Sequence, residues 1–96
     1  MRPSQALAAN RPAIRAIVAA HRASNARVFG SAARGEDTEE GDLDLLIDTG
    51  PSLSLFDIGA LRHKLRDLLG VSVDVITPKG LPDKFRDAAL AAAFPV

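Results

Sequence analysis

Residues 42–48, Asp-Leu-Asp-Leu-Leu-Ile-Asp, follow the two-residue alternation that is typical of a β-strand with one buried face. Side chains at every second position of a strand point to the same face of its sheet. The apolar set on one face is Leu43, Leu45 and Ile47. The opposite face carries Asp42, Asp44, Leu46 and Asp48. We therefore expect a sheet that is covered by an apolar layer on one side and presents carboxylates on the other.

The rest of the chain predicts the element order αβαβαβα, an α/β fold with a small mixed sheet of about three strands flanked by helices. The predicted strands are residues 26–29, 42–48 and 71–76. The predicted helices are residues 4–23, 31–34 and 54–69, and a last helix that begins at Pro82 and is stopped by Phe94-Pro95. A chain of 96 residues can bury one hydrophobic core, so we expect residues 1–96 to form a single domain.

Local signals mark the ends of these helices. Pro12 interrupts the first helix. Either it kinks one helix, or Asn10 caps a second helical segment that has Pro12 in its first turn, and we favour the cap. Ser54, with Asp57 three residues later, has the pattern of a helix N-terminus. Gly70 stands where a glycine commonly ends a helix.

A Gly-Ser pair follows the first predicted strand. Gly30 allows a tight turn and a close approach of a ligand, and Ser31 offers a hydroxyl beside backbone N–H groups that suit a phosphate. Ten residues later, Asp42 and Asp44 point from the same strand face. At roughly 5 Å and an effective dielectric constant of about 20, their repulsion is on the order of 3 kcal/mol. A divalent cation would relieve it, and Mg²⁺ prefers oxygen ligands that it shares with phosphates.

Asp74 is the third carboxylate of this pattern. It lies between two valines of the third predicted strand and therefore faces away from their apolar side. If the second and third strands are neighbours, Asp42, Asp44 and Asp74 converge on one sheet face. Aspartate is depleted in strands, so three on one face indicate a functional site.

Gly30-Ser31, ten intervening residues, Asp42-x-Asp44 and the later Asp74 resemble the polymerase-β-type nucleotidyltransferase superfamily. The fuller form Gly-Ser-Ala-Ala-Arg-Gly, the size and the ending Ala-Phe-Pro-Val are similar to the minimal nucleotidyltransferases, the MNT antitoxins encoded beside HEPN toxins. The resemblance covers about residues 12–96.

This resemblance implies a nucleotidyltransferase fold in which Asp42 and Asp44 hold two Mg²⁺ ions. Asp74 would help to bind one ion and act on the incoming hydroxyl. The Gly-Ser pair would hold the phosphates of ATP, assisted by Arg34. The implied reaction transfers AMP from ATP to a tyrosine of the HEPN ribonuclease, with pyrophosphate leaving, and so silences the toxin within a hetero-oligomer. A chain this short has no evident acceptor-binding domain of its own, which fits an acceptor on a partner protein.

Composition argues against several other classes of protein. The net charge is zero, which disfavours direct nucleic-acid binding through excess positive charge. The chain has no cysteine, which excludes disulfides and thiolate metal sites and suits the cytoplasm. No apolar run approaches the roughly 20 residues of a membrane span, so we expect no membrane association.

Alternative interpretations stay open at this point. Gly41 precedes Asp42 where the family commonly has serine, and residues 36–40 form an unusually acidic loop that is most simply solvated. His21 and His63 are isolated on predicted helices and are expected to be structural or solvated. The basic side chains of the 54–69 helix are expected to form its wet face: Arg62, Lys64 and Arg66.

Two other functions remain possible from the sequence. The first is an antitoxin that acts by binding alone, although intact carboxylates count against an idle site. The second is a transferase that modifies a small molecule such as an antibiotic, although the lack of a second domain counts against it.

Overall fold

The computed structural model describes all residues from Met1 to Val96 and contains four helices, four strands and one 3-10 turn. The helices are α1 Pro3–Ala20, α2 Gly30–Ala33, α3 Leu55–Leu69 and α4 Asp83–Ala92. The strands are β1 Ala23–Phe29, β2 Leu43–Thr49, β3 Val73–Ile76 and β4 Phe94–Pro95. The 3-10 turn, Pro78–Gly80, connects β3 to α4. None of the four helices has the length and apolar character that crossing a membrane requires.

The strands form one mixed sheet in the order β3-β2-β1-β4. β2 and β3 are parallel, whereas β1 pairs antiparallel with both β2 and β4. The α3 helix is the crossover that joins the two parallel strands, as such a pair requires. The predicted α/β class and element order are confirmed, and the sheet has four strands where the sequence predicted about three.

The main core lies between one face of the sheet and helices α1 and α3. The three apolar residues predicted to share a face of β2 are all fully buried: Leu43, Leu45 and Ile47. They belong to a cluster of 14 buried residues that also draws on both helices and on β1 and β3. The helical members with no exposed surface are Ala6, Ile14, Leu61 and Leu65. The two-residue alternation of β2 therefore identified the core face correctly.

The opposite face of the sheet is partly covered by α4. Leu46 is fully buried but lies outside the main cluster, as does Leu81, which is 8% exposed. The chain leaves the β3 edge, runs through α4 and joins β1 as the edge strand β4, and α4 contacts β1. The ten residues of α4 are about 15 Å long, which is close to the roughly 14 Å between the two edge strands of a four-stranded sheet. The helix is therefore long enough to connect the two edges. Arg86 fixes the start of this crossing, since it donates to the Pro78 and Leu81 carbonyls at 2.8 and 3.0 Å.

The first helix ends earlier than residue 23, and β1 begins earlier than residue 26. Arg22 has a φ of 61°, which stops the helix, and the buried Ala23 already pairs with Thr49. The register of β1 shifts between Ser24 and Arg27, and Asn25 has a φ of 51°. Ser24 and Asn25, which lie between the predicted helix and the predicted strand, are thus part of a β-bulge that disguises the start of the strand.

The break near Pro12 is real, but Asn10 does not act as the expected cap. Asn10 has non-helical angles of φ −132° and ψ 18° inside α1. Its side-chain amide donates to the Ala6 carbonyl at 2.9 Å, so it bonds to the preceding helical turn. The boundary between two helical segments lies at Asn10, as predicted. The side chain was expected to accept from N–H groups of the following turn, and that part of the prediction was wrong.

The predicted ends of α3 are confirmed. The Ser54 hydroxyl accepts from the Asp57 N–H at 3.2 Å, and Asp57 accepts from the Ser54 N–H at 2.9 Å. Gly70 ends the helix in the left-handed region with φ 69°. The fourth strand was missed, because two residues that include a proline carry no strand signal. Its pairing at the sheet edge puts Phe94 opposite Val28.

Candidate active site

The turn after β1 lies directly against the carboxylate of β2. Gly30 has a φ of 72°, which favours glycine, and begins the four-residue helix α2. A Cβ atom added at Gly30 would come within 2.5 Å of Asp44 Oδ2. Any side chain at Gly30 would therefore collide with the Asp44 carboxylate, whereas the close approach of a ligand to Gly30 stays a prediction.

Two of the three predicted carboxylates stand side by side on neighbouring strands. Asp44 and Asp74 are register partners in the parallel β2–β3 pair, so both side chains point to the same face. This is the face opposite the main core. Asp42 is two residues before Asp44, outside the strand and exposed. The sequence could only suppose that these strands are neighbours, and the structure confirms that they are.

The pKa of Asp44 reflects the charged groups that surround it. Partial burial raises the pKa of Asp44 above its ordinary value of 3.8, and the charges of Asp74 and Asp42 raise it further. The positive charge of Arg34 acts in the opposite direction. The other three charged residues that the sequence assigned to the site therefore all act on Asp44 through space.

None of the three carboxylates has a hydrogen-bond or ion-pair partner in the protein. Other aspartates do: Asp48 binds Arg27 at 2.7 Å, and Asp57 binds the backbone of Ser54. Unpaired and mutually repelling carboxylates are the donor set that a hard divalent cation accepts. As placed, however, no group of three or more His, Cys, Asp or Glu side chains is arranged to enclose a metal ion. The donor chemistry fits Mg²⁺, and the metal assignment stays a prediction.

The remaining predicted contacts lie around the same turn. Ser31 is half-buried, and its hydroxyl makes no hydrogen bond in the protein. Its carbonyl accepts from the Glu36 N–H at 2.9 Å, which closes the turn. Arg34 is exposed, and its Nε donates to Glu36 Oε2 at 3.1 Å. This contact leaves the two terminal nitrogens of the guanidinium free for an anion.

The sequence suggested that the acidic loop that follows is solvated, but the structure buries one of its residues. Glu36, Glu39 and Glu40 are exposed, but Asp37 is only 6% exposed. Its Oδ2 accepts from the Ser4 N–H at the start of α1 at 2.8 Å. No local pattern announces this contact, because the partner is 33 residues away in the chain.

The histidines and the basic face of α3 lie outside the site, as expected. The His21 ring nitrogen Nδ1 lies 2.9 Å from the Ile17 carbonyl, and His63 Nε2 lies 3.4 Å from Asp67. The basic side chains of α3 are exposed: Arg62, Lys64 and Arg66.

Comparison with known proteins agrees with this geometry. Residues 13–93 match the model of the nucleotidyltransferase domain family. A Methanocaldococcus jannaschii protein named "Putative protein adenylyltransferase" is 36% identical over 80 residues, which cover 83% of this chain and 86% of that protein. The protein adenylyltransferase MntA of Thermococcus cleftensis is 41% identical over 54 residues, 56% of this chain and 54% of that relative.

Solved structures give the same result for the fold. A structure described as a "putative minimal nucleotidyltransferase" superposes with a TM-score of 0.86 at 41% identity, covering 97% of this chain and 95% of that one. A toxin-antitoxin structure with AMP-PNP has a TM-score of 0.77 at 17% identity, covering 90% of this chain and 71% of that one. The sheet, the Gly-Ser turn and the carboxylates thus sit on a known scaffold, and the chain belongs to the nucleotidyltransferase domain family in its minimal, MNT form.

Proposed function

We propose that this protein transfers AMP from ATP to a hydroxyl group of a partner protein, and that the partner is a HEPN-type ribonuclease toxin that is silenced when a tyrosine is modified. The observation that carries the proposal is the arrangement at Gly30. The turn that suits phosphates has no room for a side chain because Asp44 Oδ2 lies against it, with Asp74 in register beside Asp44. Phosphate-binding and carboxylate groups are therefore parts of one site.

The family resemblance suggests a role for each residue of the candidate site. Asp42 and Asp44 would hold the metal, and Asp74 would help and would accept the proton of the attacking hydroxyl. The hydroxyl oxygen bonds to the α-phosphorus of ATP, the bond from that phosphorus to the bridging oxygen breaks, and pyrophosphate leaves. The Ser31 hydroxyl and the terminal nitrogens of Arg34 make no hydrogen bond within the protein and could donate to the phosphates.

The cofactor that fits these residues is Mg²⁺. When bound, two such ions neutralise the phosphates and stabilise the attacking and leaving oxygens of an in-line displacement. The chain's own contribution is to position these groups and to keep other cations and hydrogen-bond partners away from the three carboxylates.

These 96 residues contain no tyrosine, so a tyrosine acceptor would lie outside them. The names of the relatives support a protein acceptor, since both relatives described above are named for protein adenylyltransferase activity. The related fold in a toxin-antitoxin structure supports an antitoxin role. We place this reaction in the cytoplasm, in keeping with the absence of cysteine.

We propose that the acceptor protein docks on α4. This helix crosses the same sheet face as the carboxylates and contains no buried residue. Phe85 is 58% exposed, and Ala88 and Ala92 follow it on the same side of the helix at spacings of three and four. An exposed apolar stripe next to a reaction centre suits a protein that must bring its hydroxyl to that centre.

The test is co-expression with a HEPN-type toxin encoded beside this protein's gene. Wild-type protein should add the mass of AMP to the toxin, as measured by intact mass spectrometry, and should relieve toxicity. The double variant Asp42→Asn/Asp44→Asn should add no mass. The matched control is Glu39→Gln/Glu40→Gln, which makes the same charge change on exposed residues of the neighbouring loop and should behave as wild type.

The same experiment separates the proposal from an antitoxin that only binds. If the Asp42→Asn/Asp44→Asn protein neutralises the toxin as fully as wild type and neither adds mass, the binding-only function is correct. Transfer of AMP to a small molecule, with no mass added to the toxin, would instead favour a small-molecule transferase.

A further inference from the structure

Asp37 is the only buried polar side chain in the chain. Its Oδ2 accepts from the Ser4 N–H at 2.8 Å, and this bond holds the pKa of Asp37 below its ordinary value. Its other oxygen, Oδ1, is buried and has no hydrogen-bond partner. The AMP-transfer site described above makes no use of this residue.

Helix capping explains the position of Oδ2 but not that of the buried Oδ1. The first N–H groups of α1 lack intrahelical partners and favour a negative charge, so Oδ2 is well placed. A short polar side chain just before the helix usually does this work, whereas Asp37 comes from a distant loop and leaves Oδ1 buried and unsatisfied, which costs stability. The contact therefore has a second consequence, which is to fix the loop.

That loop joins two parts of the proposed site. The loop connects Arg34 to Asp42. Its one internal turn is closed by a hydrogen bond of 3.1 Å that the Gly41 N–H donates to the Thr38 carbonyl. The Asp37–Ser4 bond is the only hydrogen bond from residues 37–41 to another element. The only other link is an exposed pair between the Met1 ammonium and Glu39 at 4.0 Å.

We propose that Asp37 is a positioning residue that fastens this loop to α1, so that Arg34 at one end and Asp42 at the other face the Asp44–Asp74 pair. The proposal rests on the proposed function, because it concerns the geometry of the same site. Asp42 lies outside β2, so the loop holds it in place on its N-terminal side. Reacting groups that are misplaced by about 1 Å can lower a rate by about 100-fold.

Steady-state AMP transfer by the Asp37→Ala variant tests the role. We expect kcat/KM to fall about 10- to 100-fold, mostly in kcat, because binding of ATP also uses contacts that the loop does not supply. Asp37→Asn keeps an oxygen that accepts from the Ser4 N–H and should retain most of the wild-type rate. Glu40→Ala is the control, because it removes the same charge from an exposed position of the same loop. Wild-type kcat/KM in Asp37→Ala, or an equal loss in Glu40→Ala, would overturn the proposal.

Amide hydrogen exchange without substrate gives a readout that does not depend on transfer. In Asp37→Ala the Gly41 amide should exchange at least 10-fold faster, whereas the Ile47 amide in the central strand should not change. If Asp37→Ala does not fold, Asp37→Ser, whose hydroxyl is too short to reach Ser4, replaces it. Unchanged exchange at Gly41 would refute the anchor, while absence of transfer in wild type would refute only the proposed function.

Discussion

The substitution Asp44→Asn should stabilise the metal-free protein while it removes activity. Asp44 and Asp74 are register partners on adjacent strands, about 4.8 Å apart. Their repulsion is about 3.5 kcal/mol at an effective dielectric constant of 20 and about 0.9 kcal/mol in bulk water. Both side chains are partly exposed, so solvent screening favours the lower figure, and we expect the free energy of unfolding to rise by about 1 kcal/mol at pH 7.

Urea denaturation in EDTA measures this gain. With a slope of about 1–3 kcal/mol per molar for a small protein, 1 kcal/mol moves the midpoint upward by about 0.3–1 M. The control is Asp87→Asn, which makes the same chemical change at an exposed aspartate without an ion-pair partner. A midpoint for Asp44→Asn at or below that of wild type at pH 7 would refute the electrostatic reasoning.

The same gain should depend on pH in a defined direction. The pKa of Asp44 in the folded protein is raised above 3.8, so the charged carboxylate lowers the free energy of unfolding at neutral pH. Once Asp44 is protonated in both the folded and the unfolded protein, this loss of stability disappears. The difference between Asp44→Asn and wild type should be complete at pH 7, shrink as the pH falls through the raised pKa and vanish below about 3.8. A difference that grows on acidification would contradict this assignment.

Mg²⁺ should reverse the ranking of the two proteins. A cation at 100 times its Kd adds about 2.7 kcal/mol to the protein that binds it. Wild type should therefore gain stability with added MgCl₂, and Asp44→Asn should gain little. Equal gains in both proteins would show that the cation binds elsewhere.

Three further substitutions test individual features of the fold. Gly30→Ala should abolish AMP transfer and weaken ATP binding. Gly35 has a similar φ of 70° but no atom within 4 Å of an added Cβ, so Gly35→Ala should lose only about 1–2 kcal/mol of stability to backbone strain. Similar ATP affinity in both variants would contradict the close approach of Gly30 to Asp44. Leu46→Ala should lower the free energy of unfolding by about 2–5 kcal/mol, because Leu46 is fully buried beneath the second face, and a loss below 1 kcal/mol would mean that this face is not packed. Ser54→Ala should cost about 1 kcal/mol in thermal or urea unfolding by removing the cap of α3, and no change would show that the cap bond is unimportant.

The sequence predicted those features that depend on residues close together in the chain. The alternation in β2 separated the core face from the carboxylate face, and Ser54 with Gly70 located both ends of α3. The spacing from Gly30 to Asp44 identified the family before any contact was known. Such signals are readable because side-chain direction and helix capping are set by short-range geometry.

Local patterns failed where distant segments decide the outcome. The bulge at Asn25 hid the start of β1, and the two-residue β4 exists only because β1 offers an edge to pair with. Asp37 looked like part of a solvated loop, and it is buried because α1 presents the Ser4 N–H to it. In each case the residue's partner comes from elsewhere in the chain, so no window of neighbouring residues contains the information.

The sequence by itself therefore identified the candidate site residues: the Gly-Ser pair and the carboxylates at positions 42, 44 and 74. Only the tertiary structure decided that β3 lies beside β2 with Asp74 in register with Asp44, and that Gly30 packs against the same carboxylate. The physical reason is that local alternation sets the sheet face to which each strand side chain points, whereas strand order and register follow from how α1 and α3 bury the shared apolar face. The site's electrostatics, including the raised pKa of Asp44, exist only once that packing has brought like charges together.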